Sequence, residues 1–283
     1  MLSMRTNVAS LSAQNALTRA GVSQSIAATR LSTGYRVNSA MDDAAGLQIA
    51  TRLAAQTSGM TVAMRNIQNG ISLMQVADSV AGSLVDIFSR MHDLAIQAAD
   101  GSSTKADKDA LQSEFAAMFD QAWEVVSTTF NGEYLFVDTG AASSDKFMRP
   151  LNFQIGDSSS DVMTANFRES LIQTLPSFKY GDDDLVDILT AHASEAIEDM
   201  SSAIDAWASF RSAAGAVANT LEHASNNTAN MLTNTQAATG RIMDTDYAME
   251  FAASSTAQML MQSSTSMLKQ ASSTSQLTLS LIS

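Results

Sequence analysis

His92, His192 and His223 are the only imidazoles available for acid–base or metal chemistry, and the chain has no cysteine. No two of the histidines stand at the i, i+4 spacing that places a zinc pair on one helix face, so they read as surface or interface residues. Without thiols there is no disulfide framework, thiolate metal site or cysteine nucleophile. Asp182-Asp183-Asp184 gathers carboxylates, yet it lacks the alternating ligands and closing Glu of a calcium loop. It reads instead as a helix cap, because acidic side chains suit the positive end of a helix dipole. Neither His-Glu-x-x-His, Gly-x-Ser-x-Gly nor a phosphate-binding glycine loop occurs. These residues point to no enzyme and no cofactor.

Composition narrows the partners. The formal net charge of -13 argues against nucleic acid, whose binding needs clustered Lys and Arg. The ends differ from the middle: before Asp42 the only charges are Arg5, Arg19, Arg30 and Arg36, and from Phe251 onward only Lys269. The first residues lack the apolar stretch and cleavage site of a secretory signal, and no later run reads as a membrane span.

The elements that must carry any function are helical. Pro150 and Pro176 are the only prolines, which permits long helices on both sides of one central stretch. Met60, Met64, Ile67, Ile71 and Met74 recur at steps of three and four, and Leu73, Val76, Val80, Leu84, Ile87, Met91, Leu94 and Ala98 form a second stripe. A short turn at 101–104 leads to Leu111, Phe115, Met118, Ala122 and Val125, with Thr104 or Asp107 as N-cap. Ile197, Met200, Ile204, Trp207, Ala214 and Leu221 predict a further helix starting from the 182–184 cap. Phe130-Asn131-Gly132 and the alternating Leu151–Gly156 predict short β-hairpins between these helices.

Residues 249–281 give a partly apolar, heptad-like stripe that includes Met249, Ala253, Leu260, Met267, Leu277 and Leu281. Ser and Thr make up about half of 254–280, so this helix is marginal by itself. Two readings stand: unstructured tails, or ends that fold when they assemble. In the second, small residues allow close helix approach and methionine packs adaptably against identical neighbours.

The run from Arg30 to Leu47, Arg-Leu-Ser-Thr-Gly-Tyr-Arg-Val-Asn-Ser-Ala-Met-Asp-Asp-Ala-Ala-Gly-Leu, resembles the N-terminal motif of bacterial flagellins. The resemblance extends through Asn7, Gln14, Leu17, Ile49, Arg52, Arg65-Asn66 and Gly70–Leu73. At the other end Arg241-Ile242, Asp244, Asp246-Tyr247-Ala248, Glu250 and Gln258-Met259-Leu260 resemble the same family. Phe153-Gln154-Ile155-Gly156 is similar to a flagellin hairpin segment.

That resemblance implies a mainly α fold: a long folded-back helical rod with paired N- and C-terminal helices and a small β-hairpin region. Residues 1–42 with 240–283 would form a channel-lining inner core and 43–239 an outer core, with 131–180 as a reduced variable region. The implied function is the structural subunit of the flagellar filament, extracellular and exported through the flagellar type III apparatus. A hook–filament junction protein of the same superfamily is the alternative, disfavoured because Ala44-Ala45-Gly46-Leu47 replaces its usual prolines.

Implied partners are further copies of the chain, hook–filament junction and filament cap proteins, and an export chaperone on residues 240–283. Arg36, Asp42, Asp43 and Arg52 are expected to form a charge network at the inter-domain bend, against the alternative of solvated charges worth under about 1 kcal/mol per pair. Arg90, Leu94 and Glu114 match positions at which many flagellins contact a vertebrate Toll-like receptor. His92 and Asp93 depart from the usual residues there. Ser143-Ser144 and Ser158-Ser159-Ser160 read as exposed loops, with O-linked sugar attachment as the alternative.

Overall fold

The computed structural model describes residues 7–136, 146–174 and 188–280. Its elements are α1 (Val8–Thr33), α2 (Ala44–Ala99), α3 (Lys105–Val126), β1 (Thr129–Phe130), β2 (Glu133–Tyr134), β3 (Leu151–Gln154), β4 (Val162–Ala165), α4 (Arg168–Thr174), α5 (Ile188–Ala191), α6 (Ala193–Met243) and α7 (Tyr247–Ser280). The fold is mainly α. The chain divides into two compact units, Met1–Thr57 with Thr233–Ser283, and Ser58–Leu232.

The second unit buries what the periodicity marked. Met60, Ile67, Leu73, Met74, Leu84, Met91, Leu94 and Ala98 of α2 are buried, as are Phe115 and Ala122 of α3 and Met200, Trp207, Ala214 and Leu221 of α6. Most of these join one apolar core. By length and composition α2 is apolar enough to cross a membrane, contrary to the reading of no such run. The reason is its broad core-facing stripe, which raises the apolar content while packing inside the unit.

Aromatic rings dominate part of this core. Phe136 stacks on Phe147 at 5.3 Å between centroids and meets Trp207 and Phe210 edge-on at 5.4 and 5.2 Å. Phe167 adds an edge contact to Phe147 at 5.1 Å. Such edge and offset arrangements suit ring quadrupoles. The buried Gln112 side chain accepts a hydrogen bond at 2.8 Å from the Leu189 amide, fixing α5 against α3.

Local chemistry sets the ends of these elements. Thr104 caps α3, with its side chain and that of Asp107 reciprocally bonded to each other's backbone N–H. Asn131 and Gly132 both have positive φ, 54° and 80°, as expected of the Asn-Gly turn between β1 and β2. The β3–β4 hairpin is antiparallel, with Phe153 opposite Met163. It lies close against α2 at Gly70, where an added Cβ would stand 2.9 Å from the Phe153 ring. Thr228 of α6 holds the same hairpin by donating to the Ile155 carbonyl at 3.1 Å.

One helix start differs from expectation. Asp182, Asp183 and Asp184 lie outside the described residues, and α6 begins at Ala193 after the separate α5. Backbone bonds from Glu195 and Ala196 to the His192 carbonyl begin the helix there. Ser143-Ser144 also lies outside the described residues, whereas 158–160 forms the exposed turn between β3 and β4.

Candidate functional site on the paired terminal helices

In the first unit the two ends of the chain pair antiparallel. Asn7 donates to the Ala271 carbonyl at 3.0 Å, Gln24 bonds Ser254 at 3.1 Å, and Arg30 stands 3.6 Å from Glu250. Between these contacts the seam is made of small side chains. Ala13, Ala20 and Ala27 are the buried residues of α1, and Ala257, Ser264 and Ala271 are buried on α7. Each set repeats every seven residues, which keeps it on one helix face. Alanine and serine seams bring helices close, but each residue removes little apolar area from water.

The large apolar side chains therefore remain outside. Met249, Leu260 and Met267 are 71%, 53% and 64% exposed. With the exposed Ala253, steps of four, seven and seven place them along one face beside the seam. Leu277 is part of α7, but its side chain lies outside the described residues, as does Leu281. On α1, Val8, Leu11, Val22 and Ile26 are exposed as well. A groove of about 500 Å³ runs along one side of the seam, lined by Ala16, Arg19, Ser23, Ala253, Thr256 and Leu260.

The intramolecular seam was missed in the sequence because hydropathy ranks large residues first. The usable signal was the seven-residue repeat of small ones, at 13, 20 and 27 and again at 257, 264 and 271. Helix capping adds precision. Asn7 accepts from Ser10 N–H while its amide reaches α7, so one residue starts α1 and fixes the pairing. Asp246 caps α7 by accepting from the Ala248 and Met249 amides at 2.9 and 3.2 Å.

Both chain segments break their helices side by side. Arg36 N–H bonds the Met243 carbonyl at 2.6 Å, Thr245 N–H bonds the Gly34 carbonyl at 3.0 Å, and the Arg36 guanidinium donates to the Ile242 carbonyl at 2.8 Å. Gly34 ends α1 with φ of 75°, and the Tyr247 hydroxyl stands 2.8 Å from where a Cβ would be. Both facts favour glycine. Asp42 accepts from the Asn38 and Ser39 amides, which hold its carboxyl below the usual 3.8. Asp43 caps α2 by accepting from Gly46 N–H at 2.8 Å. Arg52 is exposed on α2. Among the described residues no ion pair links Arg36, Asp42, Asp43 and Arg52; the first three contact backbone groups.

Arg90 and Glu114 meet in a two-pronged ion pair at 2.6 and 3.1 Å, whereas Leu94 is buried in the apolar core. His192 and His223 are exposed and His92 is half-buried. Among the described residues no cluster of three or more His, Asp or Glu is placed to hold a metal.

Comparison with known proteins follows the same two ends. The family model for the bacterial flagellin N-terminal helical region matches residues 4–141, and that for the bacterial flagellin C-terminal helical region matches 197–282. Flagellin C of Vibrio cholerae serotype O1 is 41% identical over 169 residues, 59% of this chain and 43% of that protein. The chain thus matches less than half the length of that relative. Polar flagellin A of Vibrio parahaemolyticus serotype O3:K6 is 30% identical over 373 residues, covering 99% of both. A crystal structure of Bacillus cereus flagellin aligns with 58% of this chain and 88% of that one at 32% identity and a TM-score of 0.48. With helical ends that pair and matches reaching along nearly its whole length, the chain belongs to the bacterial flagellin family.

Proposed function

We propose that this chain is the structural subunit of a flagellar filament, assembling through the apolar faces that its paired ends leave exposed. The observation that carries this is the division of labour on α7. Small residues form the intramolecular seam, and Met249, Ala253, Leu260 and Met267 face outward beside it. A water-exposed apolar stripe of this length is costly unless another surface covers it. Further copies of the same chain are the natural cover, since α1 presents Val8, Leu11, Val22 and Ile26 as well. The match to a family of structural proteins supports a structural role.

The reading extends to an extracellular filament whose subunit leaves the cell through the flagellar type III apparatus. A chaperone on 240–283 would cover the same stripe before export, and hook–filament junction and cap proteins would meet the ends of the polymer. The paired helix breaks at Gly34–Asp43 and Asp244–Asp246 would hold the inner-to-outer core junction. If a vertebrate Toll-like receptor reads this chain, the accessible contacts are Arg90 and Glu114, because Leu94 is in the core.

Seeded polymerisation tests the assembly surface. The full chain should form hollow filaments by sedimentation and electron microscopy, and a chain lacking residues 250–283 should not. Leu260→Asp should keep the helical content of the monomer, since Leu260 is exposed, yet fail to polymerise. Normal filaments from the Leu260→Asp chain would overturn the stripe as the assembly surface.

A further inference from the structure

We propose that Met249 and Met267 are oxidation sites that control whether a free subunit can join the polymer. This rests on the assembly reading above and adds to it a chemical control. The two thioethers sit on the outward stripe of α7 with 71% and 64% of their surface exposed, flanking Leu260. Met60, Met74, Met91 and Met200 are buried in the second unit and shielded from reagents. The same residue type therefore falls into a protected class and a reactive class, and two members of the reactive class lie on the assembly stripe.

The chemistry needs only a peroxide. One oxygen passes to the thioether sulfur, the O–O bond breaks, an S–O bond forms and water is released. The sulfur is oxidised by two electrons and the peroxide is reduced. The product is no longer apolar. A sulfoxide carries a strong dipole and acceptor oxygen, and enclosing it in a dry interface without a donor is unfavourable. One turn from Met249 on the stripe is Ala253, which donates no side-chain hydrogen bond, whereas Ser263 and Gln270 stand one turn to either side of Met267. The nearest cation on α7 is Lys269, and its position two residues from Met267 points it to a different helix face.

Burial in the polymer would protect both sulfurs, so the modification acts on subunits awaiting addition. It is also reversible in chemical class, because sulfoxide reductases return the thioether. Met41 supplies an internal control. At 97% exposure it is more open than either stripe methionine, but it lies in the segment between α1 and α2 and not on α7.

The experiment treats the purified full-length chain with hydrogen peroxide, follows each methionine by peptide mass spectrometry, and measures seeded polymerisation by sedimentation. Conversion of Met249 and Met267 should raise the critical concentration at least ~10-fold, and incubation with methionine sulfoxide reductases should restore it. A chain carrying Met249→Leu and Met267→Leu should polymerise with or without peroxide, whereas Met41→Leu should stay as sensitive as the natural chain. An unchanged critical concentration after conversion of both sites would overturn the proposal. So would equal sensitivity of the double leucine chain, or regained thioethers without regained polymerisation. Leu260→Asp separates the two readings: if it blocks assembly while the oxidised natural chain assembles, only the oxidation control fails.

Discussion

The two units of this protein use the same helical spacing with side chains of different size. In Ser58–Leu232 the inward positions carry Phe, Trp, Met, Leu and Ile, so each helix turn removes a large apolar area from water. In the terminal pair the inward positions are Ala13, Ala20, Ala27, Ala257, Ser264 and Ala271. Their burial contributes little, and the large residues of α7 face out. The contrast teaches that periodicity places a helix face, but residue size decides whether that face can stabilise the fold within a single chain. The second unit buries its large side chains within itself, whereas the terminal pair leaves large side chains of α1 and α7 exposed.

The widest test of this contrast is Trp207→Ala. Trp207 is buried and in ring contact with Phe136 and Phe210, so truncation should destabilise the second unit by about 3–5 kcal/mol. Denaturant unfolding followed by near-ultraviolet signal would measure it. A smaller effect is expected from Ala257→Leu, which overfills the terminal seam and should cost about 1–3 kcal/mol. Faster amide exchange should appear in α1 and α7 and leave the aromatic core unchanged; exchange spreading into the second unit would blur the division.

Asp246→Ala removes the cap of α7 and should cost about 1 kcal/mol. Increased fraying of the first turn of α7, read by amide exchange at Ala248 and Met249, would register the loss. Smaller again is the exposed pair of Arg211 and Asp78, 2.9 Å apart. Arg211→Ala should shift unfolding by less than about 1 kcal/mol, and the shift should shrink in high salt.

The smallest effect concerns pH. The amides of Asn38 and Ser39 depress the Asp42 carboxyl below 3.8. Its contribution is thus complete above the ordinary carboxylate range and fades as pH falls through the lower folded value. The protection of the Asn38 and Ser39 amides, measured relative to intrinsic exchange at each pH, should fall only in that acidic window, and Asp42→Asn should remove this loss. If the protection is the same at neutral and acidic pH, the carboxylate is not what holds this loop.

Much of the fold is legible without coordinates because its signals are local. Leu73 through Ala98 and Ile197 through Leu221 repeat at the helical period, Asn131-Gly132 specifies its own turn, and Thr104 or Asp107 offers an N-cap, which the structure resolves as Thr104. Asp43 illustrates the opposite case. As a charged residue in the Arg36–Arg52 stretch it invited an electrostatic role, whereas its carboxylate accepts from a backbone amide and starts α2. Leu94 follows Arg90 by one helical turn, yet the packing of the second unit buries one and exposes the other. Spacing alone does not say which edge of a helix face the core reaches.

What the amino-acid sequence determined by itself is the helices within 60–125 and 197–221 and the short hairpins between them, while the order of its motifs carried the resemblance to a family with paired helical ends. Those properties follow from local backbone preferences, side-chain period and motif order. The tertiary structure alone decided which line of α7 turns inward. Both an apolar stripe and a small-residue stripe run along that helix, and hydropathy favours the first. The close approach of α1 selected the second, because small side chains let the two helices seat against each other. The larger side chains were left at the surface, where other molecules can cover them.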